Sequence, residues 1–114
     1  VLLLHGTADE TIPYEGKPGS YPDAPETSKR FAELAGCEPR APELLPDVDI
    51  DGTVPNAETE RLLYTGCAQG TEVALWTINE GPHIPIPWTE DAYTLTTRWL
   101  TEHPRALSTF ATAQ

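Results

Sequence analysis

Three observations predict an α/β fold for this chain of 114 residues. Val1 to His5 is an unbroken apolar run with no polar alternation, the pattern of a strand buried on both faces. Val73 to Ile78 is a second β-prone run. Helix-period stretches follow each of them, at Pro25 to Ala35 and after Thr89, and strands alternating with helices point to a sheet with parallel strands.

The elements follow in order along the chain. The run Val1-Leu2-Leu3-Leu4-His5 opens in mid-strand, with no turn or methionine before it, which predicts that a longer chain continues upstream. Gly6 to Tyr14 is a turn-rich loop, and Gly16 to Pro25 carries too much proline and glycine for regular structure. Pro25 suits the first position of a helix; Phe31, Leu34 and Ala35 then share one face, and Gly36 offers a stop. Glu38 to Asn56 is rich in proline and aspartate without periodicity and reads as a long surface loop. Leu62 to Thr65 and Val73 to Ile78 flank Gly66-Cys67-Ala68-Gln69-Gly70 and read as a hairpin, with a helix over Asn56 to Tyr64 as the alternative. A last helix opens with Thr89 as its N-cap and Glu90 and Asp91 in its first turn, where negative charge complements the macrodipole. Ala92, Leu95, Thr96, Trp99 and Leu100 form its apolar stripe, and Pro104 ends it.

Composition narrows the function. With 39% hydrophobic residues the chain can build a core, so wholesale disorder is excluded. Eighteen acidic residues against seven basic ones give a net charge of −11, which repels nucleic acid and anionic lipid and disfavours both as partners. The first residues lack the basic segment of a signal peptide, and no apolar run approaches the roughly 20 residues that span a bilayer.

Two residues carry candidate chemistry. Asp9, in His5-Gly6-Thr7-Ala8-Asp9, follows a buried strand, and α/β folds place their sites at the C-terminal ends of such strands. An aspartate there also caps turns through its own backbone. His83 follows the second strand and a Gly-Pro turn, and imidazole is the side chain best matched to proton transfer near neutral pH. An acid followed by a histidine, each ending a strand, is the second half of the serine, aspartate, histidine chain order of α/β hydrolases.

On these residues the chain resembles the C-terminal part of the polyhydroxybutyrate depolymerase and feruloyl esterase-like family of secreted α/β hydrolases. Leu3-Leu4-His5-Gly6-Thr7-Ala8-Asp9 and Ile12-Pro13-Tyr14 match the opening of that region. Ala35-Gly36-Cys37, Asp51-Gly52-Thr53-Val54, Tyr64-Thr65-Gly66-Cys67, Glu72-Val73 through Ile78, and Glu80 through His83 match its later landmarks in order. The family commonly has G-G-G-H-T-W-P-G where this chain has Gly81-Pro82-His83-Ile84-Pro85-Ile86-Pro87-Trp88, a departure that falls on the leaving-group pocket.

The resemblance implies that residues 1–105 are the C-terminal portion of an α/β-hydrolase domain and 106–114 a polar tail. Val1 to His5 and Val73 to Ile78 are then parallel neighbours, with Leu62 to Thr65 antiparallel at the sheet edge. It further implies a secreted serine esterase acting on polyhydroxyalkanoate, feruloyl or acetyl esters without a cofactor, with Asp9 as triad acid, His83 as general base, and Tyr14 and Trp88 lining the substrate pocket. The nucleophile is not in this chain: Ser20, Ser28 and Ser108 are its only serines, and none sits in a G-x-S-x-G elbow. Alone, the chain should not turn over an ester. His5 is expected to pack beside the acid loop, and His103 to sit at a helix C-terminus where a cation is favoured.

Cys37 and Cys67 flank the long proline-rich segment and are expected to be bonded, the alternative being two unrelated buried thiols. Asp47-Val48-Asp49-Ile50-Asp51-Gly52 with Glu58 fits the spacing of a calcium loop, although Pro46 and Pro55 interrupt it and no flanking helix is evident. A non-catalytic, calcium-dependent binding or stability module is therefore the rival reading.

Overall fold

In a computed structural model that describes residues 1–104, the elements in chain order are β1 (Leu2–Gly6), α1 (Ala24–Leu34), β2 (Glu43–Val48), β3 (Thr59–Tyr64), β4 (Val73–Ile78) and α2 (Glu90–Glu102). A single 3-10 turn lies at Ala68–Gly70. The tail assigned to 106–114 falls outside the described residues. The four strands form one mixed sheet in the order β1-β4-β3-β2. β1 and β4 run parallel from Leu2 opposite Ala74 to Gly6 opposite Ile78, as the sequence predicts. The β4–β3 and β3–β2 pairs are antiparallel.

Strand geometry sends alternate side chains to opposite faces. Ala74, Trp76 and Ile78 of β4 point to one face, where they form a buried cluster with Ile50 and with Ala92 of α2. Leu2 and Leu4 of β1 and Leu95 and Trp99 of α2 pack around that cluster. Val73 and Leu75, also buried, occupy the intervening positions, and α1 lies on β4. The sheet is thus sandwiched between two helices. No helix among the described residues is long and apolar enough to cross a membrane.

Two expectations are corrected here. The Leu62 to Thr65 strand is not at the edge: it belongs to β3, which begins at Thr59 and is covered by β2, a strand inside the supposed loop Glu38 to Asn56. Pro46 disguises β2, because a residue without an N–H breaks a ladder and is tolerated only on an edge strand or at a bulge. The β2–β3 register indeed shifts between Leu45 and Val48. The helix alternative for Asn56 to Tyr64 does not form.

The second correction concerns the helix faces. α1 starts with Asp23, whose carboxylate accepts the Glu26 N–H at 2.7 Å, but it buries Ala24, Ser28 and Ala32 rather than the predicted stripe. Phe31 is 39% exposed and Leu34 85%. Small side chains at i, i+4 and i+8 let the helix backbone lie close to the sheet, and that close seating outweighs the larger apolar residues. On α2, Thr89 caps as predicted, accepting the Ala92 N–H at 3.0 Å, and Ala92 is buried. Leu100 is not part of the buried stripe, being 70% exposed.

Cys37, just past α1, is disulfide-bonded to Cys67 in the β3–β4 connection. Backbone bonds from Ala68 N to Ala35 O and from Glu38 N to Thr65 O flank it, fastening the end of α1 to the sheet. Closing a loop across a sequence separation of 30 should stabilise the fold by about 3 to 4 kcal/mol in the chain-entropy model. Urea denaturation of Cys37→Ser/Cys67→Ser is expected to show a loss of about that size; an unchanged midpoint would show that the bond constrains nothing.

Candidate active site

Parallel pairing makes β1 and β4 end at the same edge of the sheet, so the loops that follow them emerge side by side. The ladder continues past the strands: Thr7 N donates to Ile78 O at 3.0 Å and Ala8 N to Gly81 O at 2.9 Å. Glu80 N donates to the Thr7 hydroxyl at 2.8 Å. Glycine at position 6 permits this approach, and glycine at position 81 permits the turn that follows β4. A Cβ on Gly6 would overlap the Gly81 carbonyl, and one on Gly81 would come within 2.5 Å of Ile78 Cγ2.

The docked loops bring Asp9 and His83 together across 74 residues of sequence, with His83 Nδ1 2.9 Å from Asp9 Oδ2. The carboxylate can only accept, so Nδ1 carries a proton, and in the neutral ring Nε2 keeps its lone pair. Asp9 is fixed from its other oxygen, since Oδ1 accepts the N–H groups of Thr11 and Ile12, both at 2.8 Å. Asp9 therefore caps the turn with one oxygen and meets His83 with the other. Burial pushes the Asp9 carboxyl up, but the Ile12 amide, His83 and the Thr11 amide together outweigh it and hold the carboxyl below its ordinary value. The Asp9 side chain is 4% exposed and that of His83 44%, so the carboxylate is covered while the imidazole reaches the surface.

Around the pair lies a cavity of about 200 Å³, lined by Leu4, His5, Asp9, Ile78, His83 and Trp88 among others. Trp88 borders this cavity. Tyr14 does not line this cavity; its hydroxyl bonds Thr77 Oγ1 at 2.7 Å and its ring meets the His5 edge. His5 packs beside the acid loop, as its sequence position predicts. Its Nε2 lies 2.7 Å from the Ile12 carbonyl, which requires an N–H there, and 3.5 Å from Asp9 Oδ2, so a second imidazole faces the acid. The register shows why: His5, one residue before the end of β1, projects from the strand rather than from the loop.

The remaining candidates lie elsewhere. Ser28 is fully buried in α1, donating to Pro25 O, and Ser20 sits in an exposed turn; neither hydrogen-bonds to His83. Ser108 lies outside the described residues. His103 caps α2, with Nδ1 2.8 Å from Trp99 O and Nε2 2.8 Å from Glu72 Oε1.

The calcium-like segment does not close into a cage. Asp47 is exposed on β2, and no three His, Cys, Asp or Glu side chains among the described residues form a group that could hold a metal ion. Instead Asp51 Oδ1 accepts from the Thr53 amide and hydroxyl, and Glu58 Oε1 accepts the Ile50 and Asp51 amides.

Because the Asp9 carboxyl is depressed in the fold, the stability it contributes is complete above about pH 4, its unfolded value, and is lost as pH falls through the lower folded value. Asp9→Asn should flatten that acid limb in denaturant melts taken at successive pH values, and an unaltered limb would contradict the assignment. Gly6→Ala, which forces a methyl group against the Gly81 carbonyl, should cost about 1 to 3 kcal/mol by overpacking. No protein-family model, curated protein or solved structure matches the chain, and the function must be read from the geometry of the acid–base pair itself.

Proposed function

We propose that the chain is the acid- and base-bearing C-terminal segment of a secreted serine esterase with the α/β-hydrolase fold. The observation that carries this reading is the 2.9 Å contact between His83 Nδ1 and a buried Asp9 carboxylate. Paired parallel strands that end beside each other, in the order acid then histidine, support it. So does the disulfide, which fits an oxidising compartment.

In this reading each atom of the pair has a task. Asp9 Oδ2 holds the imidazole in the Nδ1–H form, and Nε2 faces outward as the base. When Nε2 takes the proton of a serine hydroxyl, the hydroxyl oxygen attacks the ester carbonyl, and the imidazolium is stabilised by the carboxylate beside it. Nε2 then returns the proton to the departing alkoxide, and the same base activates water to release the acid. The serine and the oxyanion donors are supplied by an upstream part of the same domain, pairing along the outer side of β1. The apolar walls at Leu4, Ile78 and Trp88 suit the hydrocarbon of a hydroxyacid polymer or of a feruloyl or acetyl ester.

The test uses the protein with the chain that precedes Val1 restored, assayed on short nitrophenyl esters. Asp9→Asn should lower kcat by about 10³- to 10⁴-fold through the wrong tautomer, and His83→Ala by at least as much through loss of the base. Full turnover by the His83→Ala protein would overturn the proposal, as would an upstream chain with no strand–serine–helix turn.

A further inference from the structure

We propose that Glu58 is a positioning residue for His83, acting through the turn at 49–53 that clamps the far end of the histidine loop. The loop from Asn79 to Trp88 is held at its start by Thr7 and Ala8, as described above, but those contacts fix only Glu80 and Gly81. Its far end is held by a different part of the chain. Gly52 N donates to Pro87 O at 2.8 Å, Thr89 N donates to Ile50 O at 3.0 Å, and the Thr89 hydroxyl donates to Asp49 O at 2.6 Å. A Cβ on Gly52 would sit 2.7 Å from Pro87 O, so the turn and the loop touch backbone to backbone.

Glu58 makes that turn rigid. Only 9% exposed at the head of β3, it accepts the Ile50 and Asp51 amides on one carboxylate oxygen, Oε1. Ile50 and Asp51 are fully buried, so without this acceptor two interior N–H groups would have no partner. The same residue reaches the start of the histidine loop as well, because its backbone carbonyl accepts both the amide and the side-chain N–H of Asn79. Glu58 therefore touches one end of the loop directly and braces the other through the turn, while His83 lies between. Its second oxygen, Oε2, is buried without a partner. A buried carboxylate left half satisfied is costly, and what it holds here is the frame of the base.

The inference rests on the esterase reading only for the use to which His83 is put; its orientation is measurable in this chain without nucleophile or substrate. The readout is the low-field proton resonance of His83 Nδ1–H, which depends on the bond to Asp9. Glu58→Ala should lose that resonance at temperatures well below its own melting point. Glu58→Gln, which keeps an acceptor at Oε1, should retain it. Val73→Ala, a core truncation at the opposite end of β4, should destabilise the fold yet also retain it. If Glu58→Ala does not fold, Glu58→Asp, which withdraws the acceptor by one methylene, carries the same test. A wild-type resonance in the Glu58→Ala or Glu58→Asp protein overturns the proposal, as does its loss in Val73→Ala to the same extent. Absence of the resonance from the wild-type chain would instead count against the acid–base pair itself.

Discussion

The close approach of Gly6 to Gly81 is the constraint from which the site follows. Parallel pairing alone aligns β1 with β4, but a side chain at position 6 would hold the following loops apart. With glycine there the ladder continues two residues beyond the strands, and the loops share backbone bonds before either reaches its functional residue. Asp9 and His83 then meet with little freedom left to lose.

The electrostatics of the pair are asymmetric in a useful way. Asp9 spends one oxygen on two backbone amides and offers the other to imidazole, so it is oriented by the main chain rather than by the residue it serves. The His5 imidazole, whose Nε2–H donates to the Ile12 carbonyl, lies 3.5 Å from the same oxygen. The carboxylate is kept charged by the Ile12 and Thr11 amides together with the histidine it contacts. His83 in turn is framed at both ends of its loop, by Thr7 and Ala8 on one side and by the Ile50 to Gly52 turn on the other.

Much of this was legible in the residues because it depends on local rules. The apolar runs gave β1 and β4, Thr89 and Gly36 marked helix ends, and the placement of Asp9 and His83 after strands predicted a shared edge. What escaped depends on tertiary context. β2 was hidden because Pro46 and an exposed outer face erase alternation, and an edge strand needs neither. The buried face of α1 was misread because hydrophobicity favours Phe31 and Leu34, whereas close seating on a sheet favours Ala24, Ser28 and Ala32. The acidic segment ending in Glu58 matched a metal-loop spacing, yet Asp51 and Glu58 each turn one oxygen to backbone amides of the segment; spacing does not say whether an oxygen faces an ion or an N–H.

Nε2 of His83 is the one polar atom of the pair with no hydrogen-bond partner among the described residues. The most direct measurement is a high-resolution structure of the protein with its upstream chain present, read at that atom. The account predicts a serine hydroxyl, borne on a tight strand-to-helix turn, within about 2.6 to 3.2 Å of Nε2, or slightly farther with the site empty. A structure in which Nε2 faces solvent, a backbone group or a non-nucleophilic side chain, with no serine in reach, would contradict it.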